Sequence, residues 1–274
     1  MPELPEVETV RRGLEPLVKG RKVVSVTVRE RRLRERIDPR ALARLRGARW
    51  TGIRRRSKFL LLDTDAGWTL LVHLGMTGRL WVADAGRPQS AHEHVVIALQ
   101  GGRELRFADA RRFGPVRVVK SRNVDTDRRL KSLGPEPLAE DLRAEMLYHS
   151  TRGRKQPIKS FLMDTRALAG IGNIYACEAL YRSGVHPKRA VGRIGLEVWE
   201  RLLENLRAVL QEAITAGGTT IRDFQNAEGD AGYFTVSLRV YGREGEPCAR
   251  CGSRIRRIVQ AGRSTFYCPR CQAR

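Results

Sequence analysis

Apolar residues recur at helical spacing close to the amino terminus. Val7, Val10, Leu14 and Leu17 lie on one face of residues 5–18, with Pro5 near the start. Beyond this stretch the period shortens. Alternating or short apolar runs occupy residues 23–29, 59–63, 69–74, 94–99, 104–109 and 115–119, and turn residues at 63–67 and at Gly101–Gly102 separate neighbours. One helix followed by a mainly antiparallel β-sandwich or barrel is expected over the first ~120 residues. Gly134, Pro135 and Pro137 then cluster, and the periodicity turns helical. Its clearest stripe, Leu196, Trp199, Leu203, Leu206, Leu210 and Ile214, reads as core scaffold closed by Gly217 and Gly218. Gly229 and Gly232 make residues 227–232 an expected mobile loop, and a small module starts near Val236. The pattern predicts an α+β multidomain chain: an amino-terminal β-sandwich with flanking helix (1–132), a helical domain (133–235) and a carboxyl-terminal module (236–274).

Composition adds a partner to this picture. The chain carries 52 Lys plus Arg against 30 Asp plus Glu, a formal net charge of +22, and 44 of the 52 are Arg. Such an excess repels itself and favours a polyanion. Nucleic acid fits best, because phosphate neutralisation releases counterions and Arg binds phosphate through paired bonds. The plainer alternative is a basic soluble protein whose Arg content reflects GC-rich coding. No apolar run approaches the ~18 residues of a membrane span, and MPELPEVETV has no basic-then-apolar leader, so a cytoplasmic protein is expected.

Four of the five cysteines form Cys248-x2-Cys251-x16-Cys268-x2-Cys271. Two CxxC knuckles at this separation fit a zinc ribbon with one structural Zn2+ held by four thiolates. A closed four-thiolate site has no open position, so the metal is expected to be structural. Nothing around the pairs resembles the βαβ setting of a redox CxxC. Arg254, Arg256, Arg257 and Arg263 lie between the knuckles, as a DNA-facing hairpin would need. Cys177 stands alone in apolar surroundings and reads as a buried small residue.

The amino terminus offers a second chemistry. Removal of Met1 would expose the secondary amine of Pro2; with Met1 retained, that nitrogen is an unreactive amide. A free α-amine has a pKa near ~8, leaving a useful neutral fraction, and a neutral amine can attack a sugar carbon to give a Schiff base. Glu3 and Glu6, three residues apart at a helix start, fall on one face beside it, where one could move protons and the other orient the amine. Acidic residues in a first turn also simply complement the helix dipole, and from these residues alone that reading is the favoured one.

Together the pieces resemble the bacterial formamidopyrimidine-DNA glycosylases over essentially the whole chain. The resemblance rests on MPELPEVETV, Ser57-Lys58-Phe59, His73-Leu74-Gly75-Met76, Asp109-Ala110-Arg111-Arg112-Phe113-Gly114, Gly170-Ile171-Gly172-Asn173-Ile174-Tyr175 and the Tyr241-Gly242-Arg243 approach to the cysteines. It implies a β-sandwich, a helix–two-turn–helix domain and a zinc finger. It also implies a bifunctional glycosylase and abasic-site lyase that removes oxidised purines from double-stranded DNA, acting as a cytoplasmic, nucleoid-associated monomer. Pro2 would be the nucleophile, Glu3 the proton donor and acceptor, and Glu6 supporting. Lys58 would contact phosphate near the lesion, and Arg263 would act with this set through phosphate. Met76 and Phe113 would fill the gap left by the everted base, and Arg111 would pair with the orphaned cytosine. Lys159, Asn173 and His94 complete the expected DNA-binding set. His73 is left as either a phosphate contact or a hydrogen-bonded structural histidine. Residues 217–234 resemble the family loop that closes over the everted purine. Two alternatives remain at this point. An endonuclease VIII-type enzyme prefers oxidised pyrimidines, but usually has Gly where this chain has Leu4 and lacks the Arg111/Phe113 arrangement. A non-catalytic zinc-ribbon DNA binder would not need Pro2, Glu3, Glu6 and Lys58.

Overall fold

The computed structural model describes residues 2–217 and 238–273. The expected loop at 227–232, Gly218 and most of 217–234 lie outside them. The described residues divide between two compact units, one formed by 2–132 with 216–217, the other by 133–215 with 238–273.

The first unit opens with α1 (Leu4–Val18), one residue longer at its start than the apolar stripe predicts. After β1 (Val23–Val28) and the short α2 (Pro39–Ala43) come β2 (Trp50–Arg56), β3 (Phe59–Thr64), β4 (Trp68–His73), β5 (Gly78–Asp84), β6 (Glu93–Leu99), β7 (Arg103–Asp109) and β8 (Val116–Lys120). They form two four-stranded sheets, ordered β1-β6-β7-β5 and β2-β3-β4-β8, with every pairing antiparallel. Val7, Val10 and Leu14 of α1 share one core with Leu60 and Leu62 of one sheet and Val95, Ile97 and Leu105 of the other. The sandwich exists because each sheet has one apolar face to bury and the other sheet, with α1, buries it. Both predicted turns occur: Gly67 closes the β3–β4 link, and Gly101 and Gly102, at φ 90° and 69°, close β6 onto β7.

The strands β2 and β5 and the helix α2 carry no expectation from the pattern. In β2 the run Arg54-Arg55-Arg56 hides the period. Its charges are held by partners instead: Arg54 by Asp63 on β3, and Arg55 by Glu8 on α1. In β5 the sequence Leu80-Trp81-Val82-Ala83 is buried throughout, so no alternation marks it.

The second unit holds α3 (Ala144–Thr151), α4 (Ile158–Leu162), α5 (Asn173–Arg182) and α6 (Leu196–Thr215), then the hairpin of β9 (Arg256–Gln260) and β10 (Arg263–Tyr267). The α6 stripe buries Trp199, Leu203, Leu206, Leu210 and Ile214 as its spacing requires, and Gly217, at φ 81°, follows its end. The cysteine module does not stand apart from the helices. Cys177 and Tyr181 of α5 share a core cluster with Val240, Cys248, Ile255 and Cys268. Glu178 of the same helix accepts the backbone N–H groups of Arg239, Val240 and Tyr241 at 2.9, 3.0 and 2.9 Å. Among the described residues no helix is long and apolar enough to cross a membrane.

Truncating Leu206, at the centre of the α6 face, should remove both its transfer free energy and its packing. Leu206→Ala is expected to lower unfolding free energy by about 2–4 kcal/mol, read as a shifted denaturant midpoint at unchanged zinc content.

Candidate functional site

The first functional surface is the start of α1. Pro5 sits in the first turn, where a helix needs no N–H from it. Glu3 is the residue before the helix, in extended backbone, and its side chain accepts the N–H of Glu6. Glu6 returns the bond, its Oε2 accepting the Glu3 N–H at 2.8 Å. This reciprocal box satisfies two donors at the helix end. Glu3 is only 3% exposed and Glu6 is fully buried. The two carboxylates thus cap α1, immediately after Pro2 in the chain.

A second link ties α1 to the turn that carries Lys58. Burial alone would raise the Glu8 carboxyl, but the guanidinium groups of Arg11, Arg12 and Arg55 hold it below the ordinary range. Arg55 in turn donates Nη1 to the Ser57 carbonyl at 2.9 Å. Arg56 pairs with Phe59, so Ser57 and Lys58 form a two-residue turn in which Ser57 adopts φ 56°. The Lys58 side chain is largely buried there. Opposite Phe59 in the β3–β4 ladder stands His73, whose ring meets the Phe59 ring edge-on at 4.8 Å. Its Nδ1 accepts the Gly75 N–H at 2.9 Å, which leaves the proton on Nε2. Burial, then the charge of Lys58, pushes His73 down to about 4, so it is a neutral donor at physiological pH.

At this end of the sandwich two loops cross from one sheet to the other. Residues 74–77 join β4 to β5 and carry Met76; residues 110–115 join β7 to β8 and carry Arg111 and Phe113. Met76 and Phe113 are each 38% exposed, unusual for apolar residues of their size, and the Arg111 guanidinium lies 4.7 Å from the Phe113 ring centroid. The loops touch backbone to backbone. A Cβ on Gly75 would come within 2.8 Å of Gly114 N, and one on Gly114 within 2.4 Å of the His73 carbonyl. Only glycine permits that approach, which brings the loop that carries Met76 against the loop that carries Phe113.

In the second unit, three expected phosphate contacts converge on one hairpin. Gln260 pairs with Arg263 across Ala261 and Gly262, at φ 48° and 71°, a type I′ turn that leaves Arg263 exposed just past its tip. Asn173 begins α5 and donates Nδ2 to the Ser264 carbonyl at 2.9 Å. Lys159 departs from expectation. It is 1% exposed, and its Nζ donates to Thr265 Oγ1 at 2.6 Å, so as placed it supports the hairpin from beneath. His94 departs likewise: it is 3% exposed, with Nε2 2.8 Å from the Asp109 carbonyl, and it holds a loop base instead of facing DNA. Residues Glu93–Ile97 of β6 are all buried, so no alternation along the strand marks the burial of His94.

The four cysteine sulfurs lie within 4.8 Å of one another, with Cys251–Cys268 at 3.4 Å and Cys248–Cys271 at 3.9 Å. A tetrahedral Zn2+ with bonds of about 2.3 Å needs sulfurs about 3.8 Å apart. Donors already point at them: the Tyr181 hydroxyl lies 3.2 Å from Cys248, and the Arg250 and Cys271 N–H groups each lie 3.4 Å from a sulfur. Such donors stabilise thiolate charge around a metal. The cysteines form a structural zinc site.

Family models match three segments: the formamidopyrimidine-DNA glycosylase N-terminal domain over residues 1–116, its H2TH domain over 133–225, and a zinc finger found in FPG and IleRS over 245–274. A formamidopyrimidine-DNA glycosylase of Syntrophotalea carbinolica is 51% identical, covering 99% of this chain and 100% of the relative. That of Alcanivorax borkumensis is 47% identical with the same coverage. The chain belongs to the formamidopyrimidine-DNA glycosylase family. The Lactococcus lactis Fpg, solved with abasic-site DNA, superposes with a TM-score of 0.92 at 34% identity, each chain covered in full. A point mutant of that protein with Fapy-dG DNA gives 0.92, and the wild type with DNA containing an oxidised pyrimidine 0.91, both at 34% identity and full coverage.

Within this family fold, the groups that sequence reasoning missed are those that hold the site. Glu8 and Arg55 were visible only as charges on unrelated segments. Asp109 lay inside a quoted motif without a role; its signal was a carboxylate at a strand end, ahead of a glycine-closed loop.

Two outcomes follow for this surface and the zinc finger. For His73, the unfolded side chain takes its proton near 6.5 and the folded one near 4. Between these values acid favours the unfolded chain, so stability present above 6.5 is lost as pH falls towards 4, at up to about 1.4 kcal/mol per pH unit. His73→Asn, whose Oδ1 can still accept the Gly75 N–H, should show a shallower fall in melting temperature over that window. For the zinc finger, Cys268→Ser should reduce bound zinc below one per chain and weaken DNA binding, read by metal analysis and fluorescence anisotropy.

Proposed function

We propose that the chain is a bifunctional DNA glycosylase and abasic-site lyase that removes oxidised purines, 8-oxoguanine and formamidopyrimidines, from double-stranded DNA. The observation that carries this reading is the buried Glu3–Glu6 capping box directly behind Pro2. With Met1 removed, the neutral Pro2 nitrogen attacks C1′ of the lesion nucleotide. The bond from C1′ to the base breaks, and Glu3 supplies and recovers the protons that base release and sugar opening need. The product is an iminium between Pro2 and C1′, an electron sink that needs no extra proton. Loss of a C2′ proton then expels the 3′ phosphate by β-elimination, and δ-elimination expels the 5′ phosphate, leaving a one-nucleotide gap. Glu6 keeps the first turn closed. Lys58, neutral His73, Arg263 and the amino-terminal end of α5 at Asn173 supply phosphate contacts.

Selection of the lesion rests on the exposed loop residues. Eversion of a base costs a few kcal/mol and leaves a void. Met76 and Phe113 are solvent-facing apolar side chains suited to fill it, and the Arg111 guanidinium, stacked on Phe113, is suited to meet the orphaned cytosine. This arrangement favours a purine lesion opposite cytosine over an oxidised pyrimidine. The chain is expected to act as a monomer.

Borohydride trapping tests the reading. Wild-type protein with mass-confirmed loss of Met1 should form a covalent adduct with an 8-oxoguanine:cytosine duplex, and more slowly with a thymine glycol duplex. Pro2→Gly should lose most of the adduct. Glu3→Gln keeps a cap acceptor but not a transferable proton. It should lose about 10²–10⁴-fold in base release while still trapping a preformed abasic site. Absence of any adduct from processed wild-type protein would leave a DNA-binding protein without catalysis.

A further inference from the structure

The loop residues Met76, Arg111 and Phe113 are exposed, yet they can read a duplex only if they hold a fixed relation to one another. The groups that fix it converge on one carboxylate. Asp109 is the last residue of β7 and is fully buried. Its Oδ2 accepts the Gly114 N–H at 2.7 Å. Its Oδ1 accepts the Thr77 hydroxyl at 2.5 Å and the Arg111 N–H at 3.2 Å. One oxygen therefore spans the two loops, and the other closes the second loop on itself around Phe113.

The back of Asp109 is fixed as firmly. Its N–H donates to the His92 carbonyl at 3.1 Å, its own carbonyl lies 2.8 Å from His94 Nε2, and it faces Gly78, the first residue of β5, across the ladder. The loop between Asp109 and Gly114 is otherwise strained: Arg112 adopts φ 58°, rarely populated by a side-chain-bearing residue. Its carbonyl accepts the Arg34 N–H at 2.7 Å. A short loop in that conformation keeps one shape only when its donors are satisfied from inside.

We propose that Asp109, through Thr77, is the positioning residue that makes Met76, Arg111 and Phe113 one rigid reader, and so sets discrimination of the base opposite the lesion. This rests on the reading of those three side chains given under Proposed function. Asp109 touches no reacting atom; it acts through the loops. A carboxylate suits the place because it accepts at both oxygens and donates at neither, whereas an amide would turn an N–H towards one of the same donors. The Thr77 hydroxyl supplies a side-chain bond that crosses from the first loop to Asp109.

The test uses the full zinc-loaded protein and three substrates: 8-oxoguanine opposite cytosine, 8-oxoguanine opposite adenine, and a preformed abasic site in a single strand, which has no void to fill and no opposite base to read. Thr77→Val keeps the shape of the side chain but removes the hydroxyl. Under single turnover it should lower excision opposite cytosine by about ten- to a hundredfold and shrink the cytosine-over-adenine preference. Single-strand abasic cleavage should keep at least about half its rate, because that step needs no fixed reader. Thr77→Ser should restore both duplex readouts, and Asp109→Asn should repeat the Thr77→Val pattern more strongly. Wild-type discrimination in a folded Thr77→Val and Asp109→Asn pair overturns the proposal, as does an equal loss on all three substrates, which would mark a scaffold role only. Phe113→Ala and Arg111→Ala separate the two levels. If they lower duplex excision while the Thr77 and Asp109 variants do not, the reader stands and its proposed anchor falls; if they leave discrimination unchanged, the reader itself falls and the anchor with it.

Discussion

The burial of negative charge against backbone N–H groups is the constraint on which the rest of this molecule depends. A carboxylate taken out of water costs several kcal/mol unless other donors replace the solvent. At the start of α1 those donors come from the first helical turn, which leaves N–H groups unpaired and carries the positive end of the peptide dipoles. Glu3 and Glu6 take up that role reciprocally. The residues directly after Pro2, which is itself buried, are thereby held in place by hydrogen bonds.

The same solution recurs wherever a loop or module must be fastened. Asp109 accepts from Gly114 and Arg111 at the junction of the two sheets. Glu178 accepts from three successive N–H groups at Arg239–Tyr241 and so ties the approach to the zinc finger onto α5. Lys159 is the cationic counterpart, a buried ammonium donating to Thr265 under the β9–β10 hairpin. In each case a charge-assisted bond replaces the apolar contacts that short loops cannot supply. Each also fixes a segment that presents exposed residues: Met76 and Phe113 in the first unit, Arg263 in the second. Buried charge beneath exposed side chains can fix a surface that must itself remain wet.

Much of this was legible beforehand. The α1 and α6 stripes, the apolar strand runs, the turns at Gly67 and Gly101–Gly102 and the four zinc ligands follow from local pattern, and each element formed where its period placed it. The failures have a common cause. The strand β2 was masked by three arginines, of which Arg54 pairs with Asp63 on the next strand and Arg55 with Glu8 on α1. His94 and Lys159, expected from the resemblance to contact DNA, are both buried, with partners 15 and 106 residues distant in the chain. Sequence spacing carries no information about partners at such separations.

By itself, then, the order of residues determined the local periods, the glycines needed for left-handed turns, the thiolate set for zinc, the basic excess that calls for a polyanion, and the family. These depend on neighbours within a turn or a hairpin, or on composition. Only the tertiary structure decided which polar groups lie inside and which face solvent, that Gly75 and Gly114 bring two loops into backbone contact, and that Asp109 joins them. The reason is physical: a polar side chain can be buried only where distant segments deliver its hydrogen-bond partners, and that delivery is set by how the sheets and helices pack.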